Sequence, residues 1–296
     1  MRLIHITDPH LSSLEFCRFS RLRGKRRSGF LSWRRKRRHE HRPEILEHLT
    51  RRLLEDRPDQ VLLTGDLVHI GLEREISEVA DWLRRVGPPE RVCLVPGNHD
   101  LYAGDSLAHL RRYWSDYLPP FDRFADPHDG YPYCRDRGPV RLIGLNSSVP
   151  TPVFSARGRI GEAQAGALPR LLDPARFNVL LIHHPPFPGM TTRRKALGDD
   201  RRLARTLSGL PVDLVLHGHV HRNRRHAFGE ARVFSTSSAS SRRDASYRVF
   251  DVSGGDGSWV VKMQLRTLDS ADDPSFEIAD REEWRVERPV MNRPVT

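Results

Sequence analysis

Asp8, His10, Asp66, Asn98, His99, His183, His219 and His221 are the residues of this chain best suited to hold cations and move protons. They fall in five short motifs in fixed order: Asp8-x-His10, Gly65-Asp66, Gly97-Asn98-His99-Asp100, His183-His184-Pro185 and Gly218-His219-x-His221. Seven of them, Asp8, His10, Asp66, Asn98, His183, His219 and His221, offer oxygen or nitrogen donors and no thiolate. Such a set suits Mn, Fe, Co, Ni or Zn. It is too rich in histidine for a Ca or Mg cage. Seven donors exceed what one ion needs if it keeps a water position; with Asp66 bridging, they serve two ions of four ligands each. Two divalent ions less the charges of Asp8 and Asp66 and of a bridging hydroxide leave the site slightly positive, which attracts an anionic ester. Two ions about 3.5–4 Å apart activate water and clamp an in-line displacement at phosphorus. His99 is not needed as a ligand, and its imidazole titrates where a proton donor to a leaving oxygen is useful.

Each motif follows a run with the composition of a buried strand: LIHIT, QVLLT, RVCLV, NVLLI and DLVLH. Residues two apart at an extended strand end face the same side, which would align Asp8 with His10 and His219 with His221. Helical spacing is expected near 43–57, 73–86, 105–117, 161–173 and 200–209, with further strands near 131–135 and 140–146. Beyond the last motif the helical patterns stop. Segments 231–236, 246–252 and 258–266 read as antiparallel strands with turns such as Gly254-Gly255-Asp256-Gly257. Residues 267–296 alternate charges with prolines and read as a loosely packed or partly disordered tail.

The motif order resembles the DxH, GD, GNH[DE], H and GHxH signature of the calcineurin-like metallophosphoesterase superfamily, over about residues 1–266. The HHPP and GHVH forms are most similar to its bacterial phosphodiesterase branch. The resemblance implies an α/β fold: a four-layer α-β-β-α sandwich of two mixed β-sheets flanked by helices. It implies one metal on Asp8, His10, Asp66 and His221, a second on Asp66, Asn98, His183 and His219, and His99 as the catalytic histidine. His69 departs from the Asp or Asn often found just past the GD motif. The implied activity is a phosphodiesterase or pyrophosphohydrolase acting on a phosphoester substrate. Alternatives are a UDP-2,3-diacylglucosamine pyrophosphohydrolase-like enzyme of lipid A synthesis, a nuclease, or a non-catalytic scaffold.

The net charge of +11 lies in one place. Residues 18–42 hold 12 Lys or Arg and one Glu, and the remainder balances at 37 of each sign. This insert, residues 16–42, interleaves arginines with Phe16, Phe19, Leu22, Phe30, Leu31 and Trp33. A charged amphipathic segment of that kind suits an anionic membrane surface through residues 16–38; nucleic acid is the second partner it suits. Its place directly after Asp8-x-His10 puts it on the rim of the site. Three cysteines without CxxC spacing point to a reducing compartment. No apolar run reaches the roughly 18–20 residues of a membrane span, and the first candidate ligand stands too early for a signal peptide. A cytoplasmic protein, peripheral to the membrane, is the expectation.

Overall fold

The computed structural model describes residues 1–118 and 130–288. Strands β1 (Arg2–Ile6), β2 (Gln60–Leu63) and β3 (Val92–Leu94) are parallel neighbours and apolar almost throughout, as strands covered on both faces must be. Alternation sends Ile4, Ile6, Val61 and Leu63 to one side and Leu3 and Leu62 to the other. The first side packs on helices α3 (Pro43–Glu55) and α4 (Glu73–Val86) through Leu46, Leu49, Leu53, Ile76, Val79 and Trp82.

A second sheet contains β4 (Tyr133–Arg137), β5 (Val140–Gly144), β6 (Phe177–Leu181), β7 (Leu214–His217), β8 (Arg224–Phe228) and β9 (Ala231–Ser235), in the order β4-β5-β6-β7-β9-β8. Val179 and Leu181 of β6 face the first sheet, while Leu180 and Ile182 face helices α6 (Gly161–Leu171) and α7 (Asp200–Leu207). The result is a four-layer α-β-β-α sandwich. Its middle core holds Leu3, Leu62, Leu214, Phe234 and Trp259.

Two expectations are corrected. The first concerns the tail. β10 (Ser246–Gly255), β11 (Ser258–Leu268) and β12 (Phe276–Glu287) complete the first sheet in the order β12-β11-β10-β1-β2-β3. The domain therefore does not end at 266: β12 pairs with β11 antiparallel along its length. Trp284 plugs into the middle core, and Glu282 meets Arg225 at 2.7 Å and Arg232 at 3.3 Å. The charges that read as a loose tail are the exposed face of an edge strand, where charge discourages further pairing. Residues 289–296 lie outside the described residues.

The second correction concerns the insert. It folds into α1 (Lys25–Ser32), a π-helical turn over Trp33–Arg37 and the single turn α2 (Arg38–Glu40). Leu22, Phe30 and Trp33, expected to meet a membrane, are buried with Leu14, Ile70 and Tyr102 in a core of their own. Burying those side chains against the protein gains what a bilayer would have offered, so they are not available to insert into one. The insert ends by stitching onto the loop after β9, with the Arg42 amide donating to the Ser240 carbonyl at 2.9 Å. Between α4 and β4 lies α5 (Ser106–Tyr113). No helix among the described residues is long and apolar enough to cross a membrane.

Candidate metal centre

The carboxyl ends of β1, β2 and β3 meet those of β6 and β7, the position where open α/β sheets take ligands. Two contacts bring the ends together. A Cβ on Gly218 would collide with the Thr7 and Asp8 side chains, so only glycine lets the turn after β7 close on the loop after β1. A Cβ on Gly97 would likewise strike the Asp66 carboxylate. Asp8 Oδ2 accepts from Thr7 Oγ1 at 2.7 Å and from the His219 amide at 3.0 Å. Asp66 Oδ1 accepts from the His99 amide at 2.7 Å. The buried Asp100 carboxylate accepts from the Leu67, Val68 and Gly97 amides, tying the loop after β2 to the loop after β3.

The backbone does not follow the extended geometry expected from the two-residue spacing. Asp8, His10, Asp66, His219 and His221 all have left-handed backbones, with φ of 50°, 41°, 55°, 69° and 49°. Residues other than glycine adopt that region at a cost of order 1–3 kcal/mol each, and such strain collects at functional sites. Side chains converge because each loop turns back sharply, not because a strand continues.

Asp8, His10, Asp66 and His221 bring one ligand atom each to within 4.8 Å of one another. His10 Nδ1 donates to the Val68 carbonyl at 2.8 Å, which turns Nε2 to the site. His183 Nδ1 donates to the Thr64 carbonyl at 2.7 Å. Its Nε2 lies 3.2 Å from Asn98 Oδ1, 3.2 Å from His219 Nδ1 and 3.4 Å from Asp66 Oδ2. Asp66 Oδ2 therefore faces both groups, with His10 Nε2 at 4.0 Å on its other side. Separations of about 3.0–3.5 Å are the edges of a polyhedron around an ion with bonds near 2.0–2.2 Å.

Other atoms fit the same demand. Asp8 Oδ1 is buried and accepts no hydrogen bond, although His221 Nε2 stands 3.0 Å away. Burial lowers the affinity of His183 for a proton, but the Asp66 and Asp8 carboxylates overcome this and raise its imidazole to about 9. Burial would raise the Asp8 carboxyl, yet His221 and His183 hold it well below the usual carboxylate range. The cluster is a fixed negative field, and its converging oxygen and nitrogen donors fit divalent cations.

His99 Nδ1 lies against the His69 carbonyl, an acceptor only, so Nδ1 carries its hydrogen there and Nε2 points inward, 4.0 Å from Asp66 Oδ2. Arg37 Nη1 is 3.1 Å from the same Nδ1; with that hydrogen committed, the contact acts through charge. Burial first, and then Arg37, hold the His99 imidazole well below its usual range. His69 stacks on His10 at 5.1 Å and orients both histidines. His184 stands with His183 and His219, its Nδ1 2.8 Å from Ser147 Oγ. His217 is buried behind Gly218.

Sequence reasoning missed His41, Arg37 and Lys25. His41 joins His10 and His221 in a further group of three convergent imidazoles, and Ser240 Oγ holds its Nδ1 at 2.9 Å. All three residues come from the basic insert, where a run of like charges hides which members turn inward.

The chain belongs to the calcineurin-like phosphoesterase family, whose model matches residues 1–223. It is a metal-dependent phosphoester hydrolase of the dinuclear type. It is 29% identical over 266 residues to a cAMP/cGMP dual specificity phosphodiesterase of Mycobacterium tuberculosis, covering 86% of this chain and 72% of that one. It is 30% identical over 176 residues to a probable glycerophosphodiester phosphodiesterase of Arcobacter nitrofigilis, with 57% and 59% covered. Among solved structures, a dimetal phosphatase of Danio rerio superposes with a TM-score of 0.58 at 13% identity, covering 97% of this chain and 98% of that one. At that identity the likeness speaks for the fold alone.

Proposed function

We propose that this protein is a phosphodiesterase in which Asp8, His10, Asp66 and His221 hold one divalent ion and Asp66, Asn98, His183 and His219 hold the other. The observation that carries the reading is Asp66 Oδ2, which faces His183 Nε2 at 3.4 Å and His10 Nε2 at 4.0 Å. When bound, two such ions activate water and offset charge on the phosphoryl oxygens.

The chain's own residues do the rest. The crevice between the two sheets seats a diester against Asn98 and His99. With the phosphate anion in place, His99 takes a second proton at Nε2; the water oxygen then bonds to phosphorus and releases a proton to solvent, the bond from phosphorus to the leaving oxygen breaks, and the His99 imidazolium gives its Nε2 proton to that oxygen. The products are a phosphomonoester and an alcohol. The His69 carbonyl fixes the His99 ring for this transfer. Burial and Arg37 disfavour the imidazolium, and a phosphate anion beside both offsets each effect.

The relatives make cyclic nucleotides and glycerophosphodiesters the first substrates to try. The test is metal analysis together with turnover of bis-p-nitrophenyl phosphate, cyclic AMP and a glycerophosphodiester. The proposal expects two ions per chain and hydrolysis of diesters that stops with chelator and returns with Mn, Fe, Co, Ni or Zn. A protein holding both ions yet inert toward every diester would refute it.

A further inference from the structure

A cavity of about 420 Å³ opens beside Asn98 and His99, and its walls carry four cations. Lys25 and Arg37 come from the insert; Arg194 and Lys195 come from the loop before α7. Among the described residues none of the four forms an ion pair with a carboxylate. Their immediate neighbours contrast with them: Arg26 pairs with Asp105 at 2.7 Å, and Lys36 with Glu40 at 3.4 Å.

The partners that the four do have are neutral. Lys25 Nζ donates to Thr151 Oγ1 at 2.7 Å and lies 4.4 Å over the Tyr102 ring. Arg194 donates to the Phe154 carbonyl through Nη2 at 2.6 Å and Nε at 3.1 Å. Arg37 touches His99. Burial disfavours the charged form of both Lys25 and Arg37. Asp66 acts on Lys25 and Arg37 only from beyond ion-pair distance, and Arg194 and Lys195 face solvent; four cations gathered in one cavity with no carboxylate in contact favour the entry of an anion. A simple diester brings one negative charge, and two metal ions would already attend to it.

From this arrangement we infer that the substrate carries a second phosphoryl group, seated among Lys25, Arg37, Arg194 and Lys195 while the scissile ester lies at Asn98 and His99. The inference rests on the phosphodiesterase reading and names the substrate class for it. Phe154 stands at the cavity wall, 80% exposed and with a left-handed backbone at φ 67°. An aromatic ring held out in that way offers a face to a nucleobase. The second phosphoryl group itself fits equally a nucleoside or a glycerol carrier.

The test uses the metal-loaded full chain and two matched pairs of p-nitrophenyl diesters. One pair is the p-nitrophenyl ester of thymidine 5′-phosphate, with and without a 3′-phosphate. The other is the corresponding ester of glycerol phosphate, with and without a second phosphate. The expected result is a kcat/KM at least about tenfold higher for the doubly phosphorylated member, through KM, narrowing as salt is added. The ratio should fall toward one in Lys25→Gln and Lys195→Gln. Phe154→Ala should cut kcat/KM for the nucleoside pair alone if the carrier is a nucleoside, and neither pair if it is glycerol.

Equal kcat/KM for both members of each pair in the wild type, with brisk turnover, would overturn the inference and leave the phosphodiesterase reading standing. Absence of turnover of any member with both metals bound would remove that reading and the substrate class with it. Should either variant fail to fold, wild-type affinity decides the matter. Thymidine 3′,5′-bisphosphate must bind at least about tenfold more tightly than thymidine 5′-phosphate, and equal affinity would refute the second phosphoryl site.

Discussion

Replacing His99 by alanine separates the proton donor from the metals. The ligand sets are complete without His99, whose Nε2 stands 4.0 Å from Asp66 Oδ2 and whose other nitrogen is committed to the His69 carbonyl. Its ring is buried and stacked on Tyr102 with centroids 5.4 Å apart, so it has one orientation toward the cavity. A positioned general acid contributes about 10²–10⁴ in rate, or roughly 3–5 kcal/mol of transition-state free energy. His99→Ala should therefore keep both ions and lose about that factor on a diester with an alkoxide leaving group. With p-nitrophenol as leaving group little protonation is needed, and the loss should shrink to about tenfold or less. The assay is kcat on the two diesters, with metal content measured on the same samples. Equal losses on both would refute proton donation and leave His99 as an electrostatic or orienting group. Loss of a metal ion would refute the assignment of ligands.

Two further expectations concern stability. Trp33 is buried against Phe30 and His69, so Trp33→Ala should destabilise the protein by about 3–5 kcal/mol; urea unfolding unchanged within about 0.5 kcal/mol would mean that the insert is not part of the core. His5 is fully buried between Thr64 and Thr236, and burial pushes its imidazole well below the ordinary histidine value of about 6.5, holding it neutral. A depressed base contributes stability that is present above the unfolded pKa and is lost as pH falls through it, because the unfolded chain takes the proton first. Below pH 6.5 the unfolding free energy should drop by about 1.4 kcal/mol per pH unit from this group, and His5→Gln should remove that slope. Parallel stability curves for the two proteins between pH 6 and 4 would contradict it.

The fold was legible where local pattern and tertiary role coincide. LIHIT, QVLLT and NVLLI are apolar on both faces because both faces are covered, and a continuous apolar run ending in Asp, Asn or His marks a strand that delivers a ligand. The helix over 73–86 was readable for the same reason: Ile76, Val79 and Leu83 fall on one face, and all are buried. β12 was not readable. Glu282, Trp284 and Val286 near its end alternate inward, but Glu282 is itself charged, as are most of the other residues of this edge strand, and the apolar Phe276, Ile278 and Ala279 at its start follow no period of two.

The site was legible as a set of donors but not as a geometry. Nothing in Asp8, His10 or His221 announces a left-handed backbone, since that conformation is imposed by the loops closing on one another. The insert shows the limit most clearly. Arg37 and Arg38 are the same residue type side by side, yet one turns toward His99 and the other lies exposed. Which cation lacks a carboxylate partner is decided by contacts across the fold, and no local pattern carries that information.

The shared carboxylate is the point on which the account stands or falls. Asp66→Asn removes one negative charge and one strong donor from a position facing both His10 and His183. Metal content after gel filtration, paired with turnover of bis-p-nitrophenyl phosphate, tests it most directly. The account predicts two ions in the wild type, loss of retention at both positions in Asp66→Asn, and loss of turnover with them. Two tightly held ions in Asp66→Asn would contradict it.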